Sequence, residues 1–453
     1  MNRRAFLQSA FGAALALAQP KRPNIVLIMT DDHGSGDLGC YGSPDIRTPH
    51  IDALAKDGLL FRNWYSNAAM CAPARAGLMT GRHPIRAGVP SNGPELPSSQ
   101  KTIASLLKAN GYKTALVGKW HLGTAHSHSP LDHGFDNFYG FHAGCVDFYS
   151  HRYYWGEPNR VNFHDLYRGR TEIFEDGQYL TERLTAEARQ FVRGAAAAPF
   201  FLYLAYNAPH YPMHAPPKYV ERFKHLPEER RMYAAIISAV DDGIGELRAL
   251  LKELRIDRDT IVLFTADNGA TTEPRAGLGG KPATAGYNRG FRGFKFSLFD
   301  GGTHVPAVIA WPGRIPAGRT TSQIAAHYDF APTMLAAAGL HAMPDGHFDG
   351  VNLWPAISKA EVIERPPLHW QNGKQLAMRK GQWKLTLNGY TADGTPNGRK
   401  PIEGEDAVFL ANLEQDPGES RNLRRAQPDV AATLEAELKA WLETVQKLAP
   451  KSD

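Results

Sequence analysis

The sequence contains the apolar stretch Pro23-Asn24-Ile25-Val26-Leu27-Ile28-Met29-Thr30, which runs directly into Asp31-Asp32-His33-Gly34. An unbroken run of apolar, often β-branched residues is typical of a strand buried on both faces of a parallel sheet. Open α/β sheets bind ligands at the carboxyl ends of such strands. Two adjacent carboxylates at that position repel each other unless a cation or protons neutralise them. The stretch therefore predicts a central strand with a ligand site at its end, whereas a solvated turn is the alternative for the acid pair alone.

A second strand pattern repeats this arrangement. Residues 259–266 (Asp-Thr-Ile-Val-Leu-Phe-Thr-Ala) run into Asp267-Asn268-Gly269. Since the carboxyl ends of parallel strands meet at one edge of a sheet, the two strands deliver four oxygen-bearing side chains to the same place. Oxygen ligands without Cys or His suit calcium or magnesium better than zinc.

The rest of the chain alternates helical and strand patterns. Strand patterns occupy residues 114–118 and 200–206, and helical patterns begin at Thr48, at Thr102 and near Pro227. Such alternation predicts an α/β fold in which helices sandwich a large, mostly parallel sheet. After about residue 345, strand patterns at 375–379, 383–387 and 408–410 precede a helix over roughly 428–448. This part predicts a smaller C-terminal α+β subdomain with an antiparallel sheet.

The first 18 residues resemble an export signal. Arg3 and Arg4 precede Phe6-Leu7 and a short apolar run that ends in Ala16-Leu17-Ala18, a small-x-small cleavage site. The run is too short to span a membrane. We therefore expect a twin-arginine signal at 1–18, a catalytic domain at 19–344 and a subdomain at 345–453, in a protein that is exported to the periplasm or secreted and has no membrane span.

Charge and cysteine usage exclude two classes of protein. The net charge is +5 over 453 residues, and it falls to +3 when the leader with Arg3 and Arg4 is removed. That balance is too weak to predict a nucleic-acid partner. The three cysteines, Cys40, Cys71 and Cys145, do not form a disulfide framework, and pairing of Cys40 with Cys145 stays open.

Cys71 begins a short motif, Cys71-Ala72-Pro73-Ala74-Arg75, which opens a helical pattern that ends at Gly81. Proline is favoured in a first helical turn and glycine at a helix end, so Cys71 is predicted at a helix N-terminus, where anions bind well. A small buried cysteine is the alternative. Lys119, His121, His210 and Lys295 also follow strand or glycine-rich patterns; each alone is most simply a surface residue.

Taken together, these motifs resemble one family. In order along the chain they are Asp31-Asp32, C-A-P-A-R at 71–75, G-K-W-H-L-G at 118–123, A-P-H at 208–210, D-N-G at 267–269 and R-G-F-K at 292–295. The sequence resembles the formylglycine-dependent sulfatases of the alkaline phosphatase superfamily. One departure is Asp300-Gly301-Gly302-Thr303-His304, where relatives usually have Glu-Gly-Gly followed by an arginine.

The resemblance implies a role for each matching residue. It implies that Asp31, Asp32, Asp267, Asn268 and residue 71 bind one calcium ion. It also implies that a formylglycine-generating maturation enzyme converts Cys71 to formylglycine, which is hydrated and acts as the nucleophile. Arg75 is then expected to hold residue 71, and Lys119 and Lys295 to bind sulfate oxygens. His121 is expected to take up a proton, and His210 to donate one to the leaving oxygen.

The substrate expected from the sequence is a sulfated carbohydrate. Residues 142–180 mix aromatic and polar side chains that suit sugar binding, and Asp147 and His151 are predicted to determine substrate specificity. The predicted activity is hydrolysis of sulfate esters. The alternatives are a phosphate or phosphonate monoester hydrolase on the same fold, and a catalytically silent sugar-binding relative in which Cys71 stays unmodified.

Overall fold

The computed structural model describes residues 22–124, 127–153, 162–274, 281–340, 343 and 346–450. The predicted signal at 1–18 lies outside these residues. Within them, no helix combines the length and the apolar character needed to cross a bilayer.

Two sheets and the helices around them make up the described structure. The strands are β1 (Asn24–Thr30), β2 (Leu59–Tyr65), β3 (Lys113–Lys119), β4 (Asn137–Phe141), β5 (Tyr167–Arg168), β6 (Thr171–Glu172), β7 (Phe200–Ala205), β8 (Thr260–Ala266), β9 (Ala307–Ala310), β10 (Arg319–Ala326), β11 (Leu368–Asn372), β12 (Gln375–Lys380), β13 (Trp383–Leu387) and β14 (Val408–Asn412). The α-helices are α1 (Pro49–Lys56), α2 (Cys71–Thr80), α3 (Pro84–Ala87), α4 (Ile103–Ala109), α5 (Leu180–Ala195), α6 (Pro217–Val220), α7 (Glu228–Glu253), α8 (Asp300–Thr303), α9 (Phe330–Ala337), α10 (Trp354–Lys359) and α11 (Pro428–Lys447).

The larger sheet has ten strands in the order β10-β2-β9-β8-β1-β7-β3-β4-β5-β6. Strand β1 lies in its middle and pairs in parallel with β7 and β8. Strand β9 runs antiparallel to β2 and β8, and β5 runs antiparallel to β4 and β6. The remaining pairs are parallel, which confirms the predicted mostly parallel sheet.

Strand β1 shows why the sheet is covered on both sides. Val26 and Ile28 pack into a core cluster with residues of α1, α5 and α7. Ile25, Leu27 and Met29 point the other way, into a cluster with residues of α2, α4 and α9. All five side chains are fully buried. Because side chains alternate along a strand, a continuous apolar run is needed to satisfy two helical layers.

The C-terminal region forms the second, antiparallel sheet in the order β11-β12-β13-β14. Leu434 and Leu438 of α11 pack in one cluster with Met378 and Leu385 of this sheet. Trp370 belongs to another cluster, shared with side chains of the larger unit. The predicted α+β subdomain is confirmed, whereas its boundary at 344/345 stays a prediction.

Candidate active site

The carboxyl ends of the central strands meet at one edge of the larger sheet. Asp31 and Asp32 follow β1, and Asp267 follows β8. The backbone N–H of Asp267 donates to the carbonyl of Thr30 at 3.0 Å, and the N–H of Asp32 donates to Asp267 Oδ1 at 3.1 Å. Asp32 has a φ of 57°, so the chain turns sharply after the strand. These bonds bring the predicted acidic residues together.

Cys71 is the first residue of α2, as the sequence predicts, and Gly81 ends that helix in the left-handed conformation. Its Sγ lies 3.5 Å from Asp31 Oδ1 and 3.9 Å from Asp32 Oδ1. The residue is only 1% exposed. Burial raises the pKa of the Cys71 thiol well above its ordinary value, and Lys119 and Lys295 oppose this only in part. The unmodified side chain is therefore a neutral thiol, which is a weak nucleophile.

Arg75 lies one turn further along α2 and is fully buried. Its Nη2 and Nε donate to Asp267 Oδ2 at 2.7 and 3.1 Å. Its Nη1 lies 3.3 Å from both the Lys119 carbonyl and the Tyr203 hydroxyl. Burial alone would raise the pKa of Asp267, but Arg75 and then Lys119 hold it below the ordinary range. Arg75 thus fixes Asp267 as a carboxylate and ties α2 to the strand ends.

Lys119 and Lys295 are the two buried lysines of the site. Lys119 Nζ lies 2.6 Å from Asp31 Oδ2, and Lys295 Nζ lies 2.8 Å from Asp32 Oδ2. Burial nevertheless raises the pKa of Asp31 to about 7 and also raises that of Asp32, since further acidic groups lie close to both. The paired carboxylates raise the pKa of both lysines against the effect of burial, so the lysines stay charged.

His121 lies in the same site, and its backbone adopts a left-handed conformation. Its φ is 55°, so the backbone leaves the extended conformation of β3 at His121, two residues after Lys119. The ring packs against Gly144, where an added Cβ would lie 2.7 Å from its Nε2. Its Nδ1 is buried, and no residue that the structure describes forms a hydrogen bond with it. Burial, and then Lys119, lowers the pKa of His121 well below the ordinary value, so the ring is a neutral proton acceptor.

His210 lies after β7, and its two ring nitrogens have different neighbours. Nδ1 is 2.9 Å from the Tyr211 carbonyl, which can only accept a hydrogen bond. Nε2 is 3.3 Å from Lys295 Nζ and 3.5 Å from Asp32 Oδ2. Burial, and then Lys295, lowers the pKa of His210 well below the ordinary value. The neutral ring thus carries its proton on Nδ1, and Nε2 must first be protonated before it can donate.

The oxygen-rich cluster fits a hard cation. Ligand atoms of Asp31, Asp32, Cys71 and His210 lie within 4.8 Å of one another. Asn268 donates from Nδ2 to Asp32 Oδ1 at 2.8 Å, and its buried Oδ1 accepts no hydrogen bond from the described part of the chain. An unsatisfied amide oxygen beside carboxylates with raised pKa values is the donor set that Ca²⁺ or Mg²⁺ prefers. Asp267 lies next to this cluster, and hydrogen-bond donors already occupy both of its oxygens.

A pocket of about 90 Å³ opens onto Cys71, and it is lined by four of the predicted residues: Cys71, His121, His210 and Lys295. It is also lined by residues that the sequence interpretation did not assign: Asn92, Gly144, Cys145, Tyr153, Tyr211, Glu273 and Phe296. Glu273 Oε2 lies 3.2 Å from Lys295 Nζ, and Asn92 Oδ1 accepts the N–H of Ala72 at 3.1 Å. Glu273 could have been suspected from the sequence, because it lies only six residues after Asp267 at the end of β8. No motif or strand end in the sequence lies close enough to Asn92 to indicate a place in the pocket.

The two predicted specificity residues do not line this pocket. Asp147 Oδ1 accepts the N–H groups of Tyr149 and Ser150 at 2.9 and 2.7 Å, so it stabilises its own loop. His151 is fully buried, and its Nε2 lies 3.0 Å from the Gln178 carbonyl. The same segment instead contributes Cys145 and Tyr153 to the pocket. Specificity at Asp147 and His151 stays a prediction.

Comparison with known proteins gives a consistent result. Residues 23–340 match the family model described as Sulfatase. The chain is 36% identical over 398 residues to N-acetylgalactosamine-6-sulfatase of Canis lupus familiaris, and the alignment covers 83% of this chain and 73% of that protein. It is 32% identical over 489 residues to arylsulfatase A of Homo sapiens, and that alignment covers 97% of this chain and 92% of that protein.

Solved structures share the same architecture. The crystal structure of Ps i-CgsB in complex with k-i-k-neocarrahexaose superposes with a TM-score of 0.81 at 32% identity, over 93% of each chain. Phosphonate monoester hydrolase of Agrobacterium radiobacter superposes with a TM-score of 0.65 at 21% identity, over 94% of this chain and 96% of that one. The second similarity shows a shared fold alone.

Proposed function

The chain belongs to the sulfatase family of sulfuric ester hydrolases, and from this premise we propose that it hydrolyses sulfate esters of sulfated saccharides. The observation that carries the proposal is the convergence of Lys295, His121 and His210 on the pocket at Cys71. Relatives named for N-acetylgalactosamine 6-sulfate and a neighbour in complex with a neocarrahexaose support a saccharide substrate.

The buried cations are the sulfate-binding groups in this proposal. Lys119 and Lys295 are both charged and both touch the carboxylates beside Cys71. Preorganised positive charge in a site that excludes water stabilises the charge that develops on ester oxygens as the S–O bond breaks. Glu273, at 3.2 Å from Lys295 Nζ, helps to orient that ammonium group toward the pocket.

Residue 71 is proposed to act as formylglycine, formed from Cys71 by a maturation enzyme. Hydrated formylglycine supplies one hydroxyl to attack sulfur and a second from which a proton can be removed. His121 is the base for that proton, because its ring is neutral and its Nδ1 has no other partner. Since Cys71 is a buried neutral thiol in the folded chain, modification precedes folding.

Mass spectrometry and sulfate release test this assignment together. The peptide that carries residue 71, taken from active protein, should have the mass of the aldehyde. Cys71→Ala should abolish sulfate release and leave the fold intact, since the side chain makes only two long sulfur contacts. Fully active protein that carries only the thiol would refute the proposed nucleophile. Fully modified protein that releases phosphate or phosphonate esters faster than sulfate would refute the proposed substrate.

We further propose that Asp31, Asp32, Asp267, Asn268 and residue 71 hold one calcium ion. Bound calcium supplies positive charge to the sulfate oxygens. Elemental analysis of Asn268→Ala should show lost calcium, because the orphaned amide oxygen is removed while the Arg75–Asp267 pair stays. Asp267→Ala should lose it too, and Glu253→Ala, at an exposed ion pair, should keep it. Native protein that holds stoichiometric zinc and needs it for activity would contradict calcium.

His210 is proposed to donate a proton to the leaving oxygen through Nε2, the nitrogen that faces the site, as Nε2 takes over a proton from the Lys295 ammonium group 3.3 Å away. A sugar alkoxide needs that proton, whereas an activated nitrophenolate does not. His210→Ala should therefore slow release from a sulfated sugar by roughly a hundred- to ten-thousand-fold, the usual contribution of general acid catalysis. Release from nitrophenyl sulfate should suffer far less. Lys295→Met, as a comparison, should slow sulfate release from both substrates. Equal losses in His210→Ala would make His210 a positioning residue, with His121 the next candidate acid.

Export is proposed for the full chain, directed by residues 1–18. The twin arginines Arg3 and Arg4 precede an apolar run in the printed sequence. Replacing both arginines by lysine should retain the protein in the cytoplasm of a bacterial host, as cell fractionation would show. An unchanged distribution would exclude the twin-arginine route.

A further inference from the structure

A second cavity lies apart from the pocket at Cys71. Its volume is about 610 Å³, and it lies between strands β2 and β10 of the larger sheet and β12 of the smaller one. Three of its lining residues are Arg62, Arg289 and Arg379, which we call the arginine cleft. No residue lines both this cleft and the pocket at Cys71. The mechanism proposed above uses none of the three arginines.

The arginines of the cleft are not held in ion pairs within the described structure. No acidic side chain of the described residues lies within ion-pair distance of Arg62, Arg289 or Arg379. Arg289 Nη1 is buried and has no hydrogen-bond partner among the described residues. Arg379 donates to neutral oxygens, including the Gly381 carbonyl at 3.0 Å and the Tyr65 hydroxyl. Burial, and also repulsion from Arg62, lowers the pKa of Arg289. Gathering cations in a half-buried cleft is unfavourable unless an anion binds there.

The acidic residues of the cleft do not balance these charges. Asp300 lies in its wall and attracts Arg379 through space, but its direct ion pair is with Lys384, whose Nζ sits 2.6 Å from Asp300 Oδ1. Glu414 lies on the exposed rim, and it forms no ion pair with any arginine in the described structure. The cleft therefore keeps a net positive charge.

A stack of rings forms part of the same wall. The His304 ring lies between the rings of Tyr65 and Phe291, with centroid distances of 4.7 and 4.4 Å and interplanar angles of 21° and 19°. The Arg289 guanidinium lies 5.2 Å from the centre of the Phe291 ring. His304 belongs to the segment where the sequence departs from the family pattern. Flat rings beside guanidinium groups can contact the apolar face of a sugar and the anion that it carries.

We propose that the arginine cleft is a second, non-catalytic binding site for a sulfated saccharide. Guanidinium groups bind oxyanions through paired hydrogen bonds, and the partly exposed ring of Phe291, at one end of the stack, offers a surface for the sugar. The choice of a saccharide rests on the proposed function, whereas the need for an anion rests on the unpaired arginines alone. The weak overall charge disfavours nucleic acid as the occupant. Occupation of this cleft by one unit of a polymer would raise the effective concentration of other units at the pocket.

Binding without turnover tests the cleft. The protein is the full chain with Cys71→Ala, and the probes are dextran sulfate and uncharged dextran, measured by titration calorimetry. Arg62→Ala and Arg289→Asn should each weaken dextran sulfate binding roughly ten-fold, as expected for a lost hydrogen bond between charged groups. Asparagine is chosen because Arg289 has a φ of 57°, which asparagine tolerates. Arg193→Ala, at an exposed ion pair elsewhere, is the matched control.

The outcomes separate this proposal from the proposed function. Unchanged affinity in both arginine variants would overturn the cleft, even if the enzyme releases sulfate from saccharides. Weakened binding in the arginine variants but not in Arg193→Ala supports it, even if the substrate proves different. If uncharged dextran binds as tightly as dextran sulfate, the cleft does not bind through an anion and the proposal is overturned. Tighter binding of a single-stranded oligonucleotide than of dextran sulfate would overturn the saccharide assignment. If Arg62→Ala folds poorly, Arg289→Asn alone decides.

Discussion

Replacement of Arg75 by methionine should destabilise the fold by about 3–5 kcal/mol, the cost of removing one partner from a buried ion pair. Methionine keeps the length of the aliphatic stem but removes the guanidinium group. Asp267 then loses its bonds of 2.7 and 3.1 Å and keeps only the N–H of Asp32 at 3.1 Å. Both side chains of the pair are fully buried, so water cannot replace the lost charge.

The dependence on pH distinguishes this cause from lost packing. The pKa of Asp267 lies below its ordinary value of 3.8 in the folded protein. The carboxylate thus contributes stability that is present above pH 3.8 and is lost as the pH falls through the lower, folded value. Arg75→Met removes that contribution. The difference in stability between native protein and variant should therefore be largest near neutral pH and should shrink below about pH 4.

Urea-induced unfolding followed by tryptophan fluorescence provides the assay. The buffer should contain a chelator, since calcium bound to the folded state would add stability of its own. Arg193→Met is the matched control, because its ion pair with Glu253 is exposed and should leave the unfolding midpoint nearly unchanged. A shift in Arg75→Met no larger than in this control, or one that is constant from pH 7 to pH 3, would refute the reasoning.

Three further predictions follow from other contacts. Gly118→Ala should prevent stable folding, because the new Cβ would lie 1.9 Å from the Ala205 carbonyl oxygen. Gly313→Ala, also at positive φ but with open space around it, should lower the stability measured by thermal unfolding only by the backbone strain of roughly 1–3 kcal/mol. Burial raises the pKa of Glu419 from 4.5 to about 7, so native stability should fall as the pH rises between those values, and Glu419→Gln should flatten that slope in melting curves at pH 5 and 8. Asp147→Ala and His151→Ala should reduce turnover of a sulfated sugar more than that of nitrophenyl sulfate, and equal losses on both would assign them to the fold.

The central strands and the acidic cluster were predictable because their signals are local. An uninterrupted apolar run allows β1 only one environment, a strand covered on both faces, and the acids that follow must lie at its end. Cys71 at the start of α2 and the glycine that ends this helix are equally local. For these elements the short-range pattern and the long-range packing require the same conformation.

The rest depends on contacts between distant segments, which leave no periodic signal. Asn92 reaches the pocket from a loop whose composition says nothing about its direction. His121 adopts a left-handed conformation, which the neighbouring sequence does not indicate. Polar and aromatic composition around Asp147 suggested sugar binding, but composition does not show whether a carboxylate faces a ligand or its own backbone.

The strand order also determines how long Cys71 stays accessible while the chain is being synthesised. β1 is the first strand to emerge, yet its neighbours β7 and β8 end at Ala205 and Ala266. Cys71 and Ala266 are 195 residues apart, so at usual translation rates about 10–40 s pass between them. During that interval Arg75 has no Asp267 to pair with, and the sheet edge that buries Cys71 does not exist. The time for which the proposed maturation enzyme could reach the thiol would thus be set by the topology: a circularly permuted chain that places β8 ahead of β1 would close the same site sooner.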